Sequence, residues 1–195
     1  MVEQVPPLQP LAKEWRLKAE RIRHRRFRVC LFGAFSAGKS SFANALLGDA
    51  VLPVSPHPTT AAVNYIVPPT ADNPDGTYLV RLKTEEQMLE QIRTSLKRLN
   101  LKERDNILYA IRQVHDLDPA TLPSGLRADH AFLTACAKGW ETAYQNLGQT
   151  LRLNHDEYTG YVADERLACF VQDITGHLDV PLTRLGLEII DTPGA

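Results

Sequence analysis

Gly33-Ala-Phe-Ser-Ala-Gly38-Lys39-Ser40 sets two glycines, a lysine and a hydroxyl at the spacing G-x-x-x-x-G-K-[ST]. That spacing suits a phosphate cradle. Successive backbone N–H groups and a helix N-terminus face the phosphate oxygens, Lys39 reaches the β and γ oxygens, and the Ser40 hydroxyl ligates Mg²⁺. The nucleotide-binding set read from it is Gly33, Ala34, Phe35, Ser36, Ala37, Gly38, Lys39, Ser40 and Ser41. Such a loop needs a strand before it and a helix after it. Phe27-Arg-Val-Cys-Leu-Phe32 is apolar enough for a buried parallel strand, and Ser41-Phe-Ala-Asn-Ala-Leu-Leu47 ahead of Gly48 predicts a helix with a glycine stop.

A second constellation, Leu187-Glu-Ile-Ile-Asp191-Thr-Pro-Gly194, joins an apolar strand to D-x-x-G. A carboxylate at the mouth of a buried strand holds Mg²⁺, usually through water, and the Gly194 N–H can approach a γ-phosphate because no side chain obstructs it. Phosphate-loop ATPases and kinases more often end this strand without the glycine, which favours GTP chemistry. An ATP-dependent phosphate-loop NTPase or kinase stays open as an alternative, as does a nucleotide-binding fragment without turnover.

The link between the two motifs should supply a threonine that closes over the γ-phosphate, and Val51-Leu-Pro53-Val-Ser-Pro-His-Pro-Thr59-Thr60-Ala-Ala contains two. At this point the chain resembles the bacterial dynamin-like GTPases. The resemblance is carried by G-A-F-S-A-G-K-S-S-F-A-N-A-L-L-G from Gly33 to Gly48, Leu52-Pro53, Pro58-Thr-Thr-Ala61, Ala168-Cys-Phe-Val171 and Asp179-Val-Pro-Leu182 ahead of the D-T-P-G strand. Matched by spacing from Leu52-Pro53, the family's switch threonine falls on Thr60, with Thr59 as the second candidate. The resemblance implies that Thr60 ligates Mg²⁺ through its hydroxyl and holds the attacking water through its carbonyl. Metal-ligand candidates are therefore Ser40, Thr60 and Asp191.

Departures bear on mechanism. Phe35 stands where eukaryotic dynamins carry a glutamine, and Ala61 stands where they carry an arginine, so neither side chain carries over. Ser36 does match the serine that resembles a ligand to a charge-compensating monovalent cation, which makes Ser36, Lys39 and Thr60 the catalytic candidates. Ala195, after the D-x-x-G glycine, lacks the water-orienting amide of Ras-like enzymes. Hydrolysis would then rest on Mg²⁺, Lys39, backbone dipoles and help from a cation or a facing subunit.

With 195 residues, 44% hydrophobic and a net charge of −1, the composition suits a globular domain and gives no bulk electrostatic case for nucleic acid. The first residues lack the basic and apolar regions of a signal peptide, and no window approaches a membrane-spanning length, so a cytoplasmic chain is expected; a peripheral place on the inner face of the cell membrane stays open as an alternative. Cys30, Cys136 and Cys169 are expected to be buried reduced thiols.

Elements read along the chain place an amphipathic helix over residues 8–25, with Leu8, Leu11, Ala12, Trp15, Ala19 and Ile22 on one face that needs a partner. The resemblance implies a bundle beside the GTPase head for residues 1–26. The basic cluster Arg21, Arg23, Arg25, Arg26 and Arg28 reads either as a solvated helix end or as a contact for anionic lipid. Asn64-Tyr-Ile-Val-Pro68 and Thr77-Tyr-Leu-Val-Arg-Leu-Lys83 predict two strands that pair antiparallel at a sheet edge. A helical insertion around 85–178 follows, with apolar faces at Met88, Leu89, Ile92, Leu96 and Leu99, at Ile107, Leu108, Ile111 and Val114, and at Phe132, Cys136, Trp140, Ala143, Tyr144 and Leu147. A fourth helical segment is predicted around Phe170, Val171 and Ile174.

The expected fold is a three-layer α/β phosphate-loop NTPase of dynamin type over 27–195, C-terminally truncated. No [N/T]-K-x-D guanine-recognition sequence is present. The implied reaction is GTP hydrolysis to GDP and phosphate. In an intact parent the resemblance implies membrane remodelling through self-assembly, with lipid contacts made elsewhere.

Overall fold

The computed structural model describes residues 9–23, 27–34, 38–48, 52, 62–103 and 106–192. Six strands form one mixed sheet in the order β1-β6-β2-β5-β3-β4: β1 (Phe27–Leu31), β2 (Val63–Val67), β3 (Thr77–Leu82), β4 (Thr150–Leu153), β5 (Val171–His177) and β6 (Leu187–Asp191). β1 runs parallel to β6, β6 antiparallel to β2, β2 parallel to β5, and β3 antiparallel to both β5 and β4. The α/β class expected from the motifs is met.

Helices α1 (Gln9–Arg23), α2 (Lys39–Leu47), α3 (Glu85–Arg98), α4 (Ile107–Arg112), α5 (Ser124–Ala143), α6 (His155–Ala163), α7 (Glu165–Ala168) and α8 (Pro181–Arg184), with short 3-10 helices at Gln113–Asp116 and Tyr144–Asn146, complete the described elements. Local chemistry sets several boundaries. Thr84 and Gln87 form a reciprocal capping box at the start of α3, Asn154 and Glu157 do the same for α6, and Gly48 stops α2 in the left-handed region at φ 80°. The apolar stripes behave as expected: Met88, Ile92 and Leu96 of α3, Ile111 of α4, and Leu133, Cys136 and Trp140 of α5 join one core with the sheet. α5 and α7 approach so closely that Gly139 faces the Arg166 carbonyl with no room for a side chain.

The sheet's two faces differ in kind. Tyr78, Val80 and Leu82 of β3, Ile174 of β5, Ile66 of β2 and Ile189 of β6 are buried on one face, where α6 lays Tyr158 on Tyr78 with ring centroids 4.2 Å apart. On the other, an open groove of about 440 Å³ is lined by residues that include Arg28, Tyr65, Leu79, Arg81 and Glu188, with Arg28 paired to Glu188 at 2.8 Å and Arg81 paired to Asp173.

Four expectations are corrected. β2 and β3 do not pair with each other, because β5 lies between them; the Leu178 N–H bonds Val67 O and the Gly76 N–H bonds His177 O, which draws β5 into the gap. The segment predicted as a fourth helix is β5. The ladder slips between Arg81 and Leu82, where Arg81 faces Asp173 but Leu82 faces Val171. That extra residue puts Val171 and Ile174, three apart, on one face and imitates helical spacing. Among the described residues β1 is an edge strand and not a buried one, pairing there with β6 alone, and Phe27 and Val29 are 48% and 38% exposed. Cys30 is exposed with it, whereas Cys136 and Cys169 are buried free thiols with Sγ atoms 3.9 Å apart. β4 had no sequence signal, being four residues that pair on one side only. The helix expected over 8–25 is found as Gln9–Arg23, and its Leu11, Trp15 and Leu17 are exposed. Among the described residues no helix is long and apolar enough to cross a membrane.

Candidate functional site

The phosphate-loop sequence sits between β1 and α2, as it must. Gly38 adopts φ 79°, a left-handed conformation that a side chain would strain, and it aims the start of α2 back across the loop. The Lys39 ammonium donates to Gly33 O at 2.8 Å and Ala34 O at 3.0 Å, tying the end of the loop to its beginning. These acceptors are neutral carbonyls, so a phosphate, which makes charge-assisted bonds, competes well for the same ammonium.

Across from the loop, β6 ends at Asp191, only 5% exposed. The Ser40 hydroxyl donates to Asp191 Oδ2 at 2.6 Å, joining two motifs 151 residues apart in sequence. Beside them the Thr192 hydroxyl donates to Leu31 O at 2.7 Å, tying the residue after Asp191 to the end of β1. The parallel β1–β6 register, with Leu31 opposite Asp191, is what brings the two motif ends level.

Among the described residues there is no group of three or more His, Cys, Asp or Glu side chains placed to hold a metal. A hard cation such as Mg²⁺ does not require one: it takes one or two carboxylates, hydroxyls, waters and phosphate oxygens. Ser40 and Asp191 supply an all-oxygen set of that kind, and among the described residues Asp191 Oδ1 is buried with no partner. The donor set therefore fits the cation.

Gly33, Ala34, Gly38, Lys39, Ser40, Ser41 and Asp191 are thus placed at one end of the sheet. Phe35, Ser36, Ala37, Thr59, Thr60 and Gly194 lie outside the described residues. The stretch that carries both threonines is nonetheless bracketed. At its start, Asn44 of α2 clamps the Leu52 backbone, donating from Nδ2 to Leu52 O at 2.8 Å and accepting the Leu52 N–H at 2.7 Å. At its end, β2 brings Asn64 directly opposite Asp191. Thr60 precedes Asn64 by four residues, a tether of at most about 14 Å.

Sequence reading assigned no role to Asn44, Asn64 or Tyr158. Asn44 had a usable signal, because asparagine inside a short helix is unfavourable unless its amide has work elsewhere. Asn64 and Tyr158 had none, since their value comes from strand register and from a ring stack.

Comparison with known proteins agrees with this geometry. Residues 29–195 match the model of the Dynamin family. Dynamin-like protein A of Bacillus subtilis (strain 168) is 37% identical over 186 residues, covering 93% of this chain and 15% of that protein. A solved bacterial dynamin, described as an oligomerised pair that provides a mechanism for long-range sensing and tethering of membranes, superposes with a TM-score of 0.60 at 16% identity over 97% of this chain and 22% of that one. A second structure under the same description gives 0.57 at 18% identity over 96% of this chain and 25% of that one. At these identities the structural matches speak for the fold.

Proposed function

The chain belongs to the dynamin family, and we propose that it carries the phosphate- and Mg²⁺-binding part of a GTPase that hydrolyses GTP to GDP and phosphate. The observation that supports this best is the Ser40–Asp191 hydrogen bond, because it unites the phosphate loop with the D-x-x-G carboxylate at one point. Lys39 binds the β/γ oxygens and offsets charge there. Ser40, Thr60 and Asp191 hold Mg²⁺, which when bound neutralises phosphate charge and orients the terminal phosphate. Thr60 orients the attacking water through its carbonyl, Ser36 contributes to cation binding, and the Gly194 N–H meets the γ-phosphate. Side-chain help at Phe35 and Ala195 is lacking, so water activation depends on dipoles fixed by the fold and on a facing copy of the head.

The chain spans about 15% of the length of the curated relative it matches, so the activity of a whole protein is part of the proposal. We assign residues 1–26 to a bundle element and 27–195 to the GTPase head, with the helical insertion expected around 85–178 ending before β5, which lies within the sheet. In the whole protein the head pairs with a second copy, and lipid contacts lie outside these residues. It works in the cytoplasm or peripherally at the membrane, and not on nucleic acid. Calorimetric titration with GTP and Mg²⁺ tests the core of this reading. Lys39→Ala should weaken binding at least about 10-fold, the worth of one charge-assisted contact. Equal affinity in both proteins would place the phosphates elsewhere.

A further inference from the structure

Among the described residues, three buried polar atoms on the helix-covered side of the sheet have no hydrogen-bond partner: Asp191 Oδ1, Asn64 Oδ1 and the Tyr158 hydroxyl. Among the described residues the Asp191 carboxylate is held by Ser40 at Oδ2, and a buried carboxylate oxygen left unsatisfied is strongly disfavoured. Asn64 lies directly across the antiparallel ladder from Asp191, and residues so paired project from the same face of the sheet. Its Nδ2 makes only a long 3.5 Å contact to Ala62 O. Tyr158 enters the same face from α6. It is 1% exposed, and its ring lies flat on Tyr78 with an interplanar angle of 6°, so the hydroxyl has no route to solvent. Tyr78 in turn covers Gly176, where an added Cβ would stand 3.1 Å from the ring and 3.2 Å from Ile66, which sits two residues along β2 from Asn64. The Asp191 charge is among the causes, after burial and Tyr78, that raise the Tyr158 pKa.

We propose that Asn64 and Tyr158 are positioning residues for Asp191, sharing one buried water that binds its Oδ1, and that α6 of the insertion is thereby coupled to the cation site. The donor and acceptor count suits a bridging water. Asp191 Oδ1 and Asn64 Oδ1 are two acceptors, and the tyrosine hydroxyl is one donor. A single water donates to both oxygens and accepts from the hydroxyl, making the three bonds typical of a buried water and leaving none of these atoms unmatched. With Ser40 on Oδ2 and the water on Oδ1, the carboxylate is fixed in one rotamer before any cation arrives. The role in cation binding rests on the function proposed above, whereas the water bridge itself does not.

Tyr158→Phe, Asn64→Ala and the double variant of the chain separate the two. Without nucleotide or Mg²⁺, Tyr158→Phe removes only an oxygen. If the hydroxyl bonds the shared water, the melting midpoint falls by about 2–4 °C; if the hydroxyl is truly unpaired, removing it leaves the midpoint unchanged or raises it, which overturns the bridge. In the second measurement, the Mg²⁺ concentration giving half-maximal GTP affinity should rise about 10-fold in each single variant. The double variant should be no worse than the poorer single, because one water serves both residues. Multiplying effects, or none, would refute the positioning role. Failure of the wild-type chain to bind GTP at all would instead refute the function, with the melting arm still readable.

Discussion

Asn44 gives the most direct test of how the chain after α2 is anchored. Its amide makes two hydrogen bonds to the backbone of Leu52, at 2.8 and 2.7 Å, and Leu52 itself is 3% exposed. In Asn44→Ala both bonds are lost, at about 1 kcal/mol net each. Alanine is the better helix former by about 0.6 kcal/mol, which offsets part of that loss within α2. The balance is roughly 1.4 kcal/mol, and for a chain of this size it lowers the melting midpoint by about 3–6 °C. Asn44→Asp sharpens the reasoning. It keeps the acceptor for the Leu52 N–H but sets a carboxylate oxygen against Leu52 O, so it should be at least as destabilising as alanine despite its shape. Thermal unfolding followed by circular dichroism measures the shifts, and amide hydrogen exchange at Leu52 reports the clamp itself. A midpoint within about 1 °C of wild type for Asn44→Ala, or equal protection of the Leu52 amide in both proteins, would show that the clamp does not hold this segment.

Gly139→Ala should destabilise the helical insertion by about 2 kcal/mol or more, because the new Cβ would stand 1.9 Å from Arg166 O and α5 and α7 can relieve that only by moving apart; an unchanged melting curve would contradict the packing. Thr60→Ala should impair phosphate release in steady-state assays of GTP turnover far more than GDP binding, since a switch residue engages the γ-phosphate and cation in the triphosphate state. Unchanged turnover in Thr60→Ala with a loss in Thr59→Ala would move the assignment by one residue.

The candidate site was legible where the proposed chemistry constrains residue type. Gly38 must take a left-handed conformation, Lys39 must carry charge, and Asp191 must end a strand, so each shows in the sequence alone. Strand order was not legible. Nothing in Val63–Val67 or Thr77–Leu82 says that a strand beginning at residue 171 will part them, because the pairing is settled by three-dimensional competition among similar apolar runs. The slip at Arg81 and Leu82 made β5 look helical, and the exposure of β1 depends on what lies beside it, which a run of apolar residues does not encode. Asn64 and Tyr158 are ordinary residues whose neighbours come from register and stacking.

The β1–β6 pairing carries a consequence for how the chain is made. Phe27 pairs with Leu187, and the Arg28–Glu188 bridge spans 160 residues of sequence. At a ribosomal pace of roughly 5–20 residues per second, β1 leaves the tunnel about 8–30 s before β6 exists to pair with it. Within that interval α3, α4 and α5, whose contacts are local, can assemble first. The phosphate loop meanwhile hangs from an unpaired edge with Phe27, Val29 and Phe32 in water. Nascent-chain holding factors and premature intermolecular strand pairing therefore compete at β1, so folding yield should respond to translation speed between residues 31 and 187 more than to the stability of the finished domain.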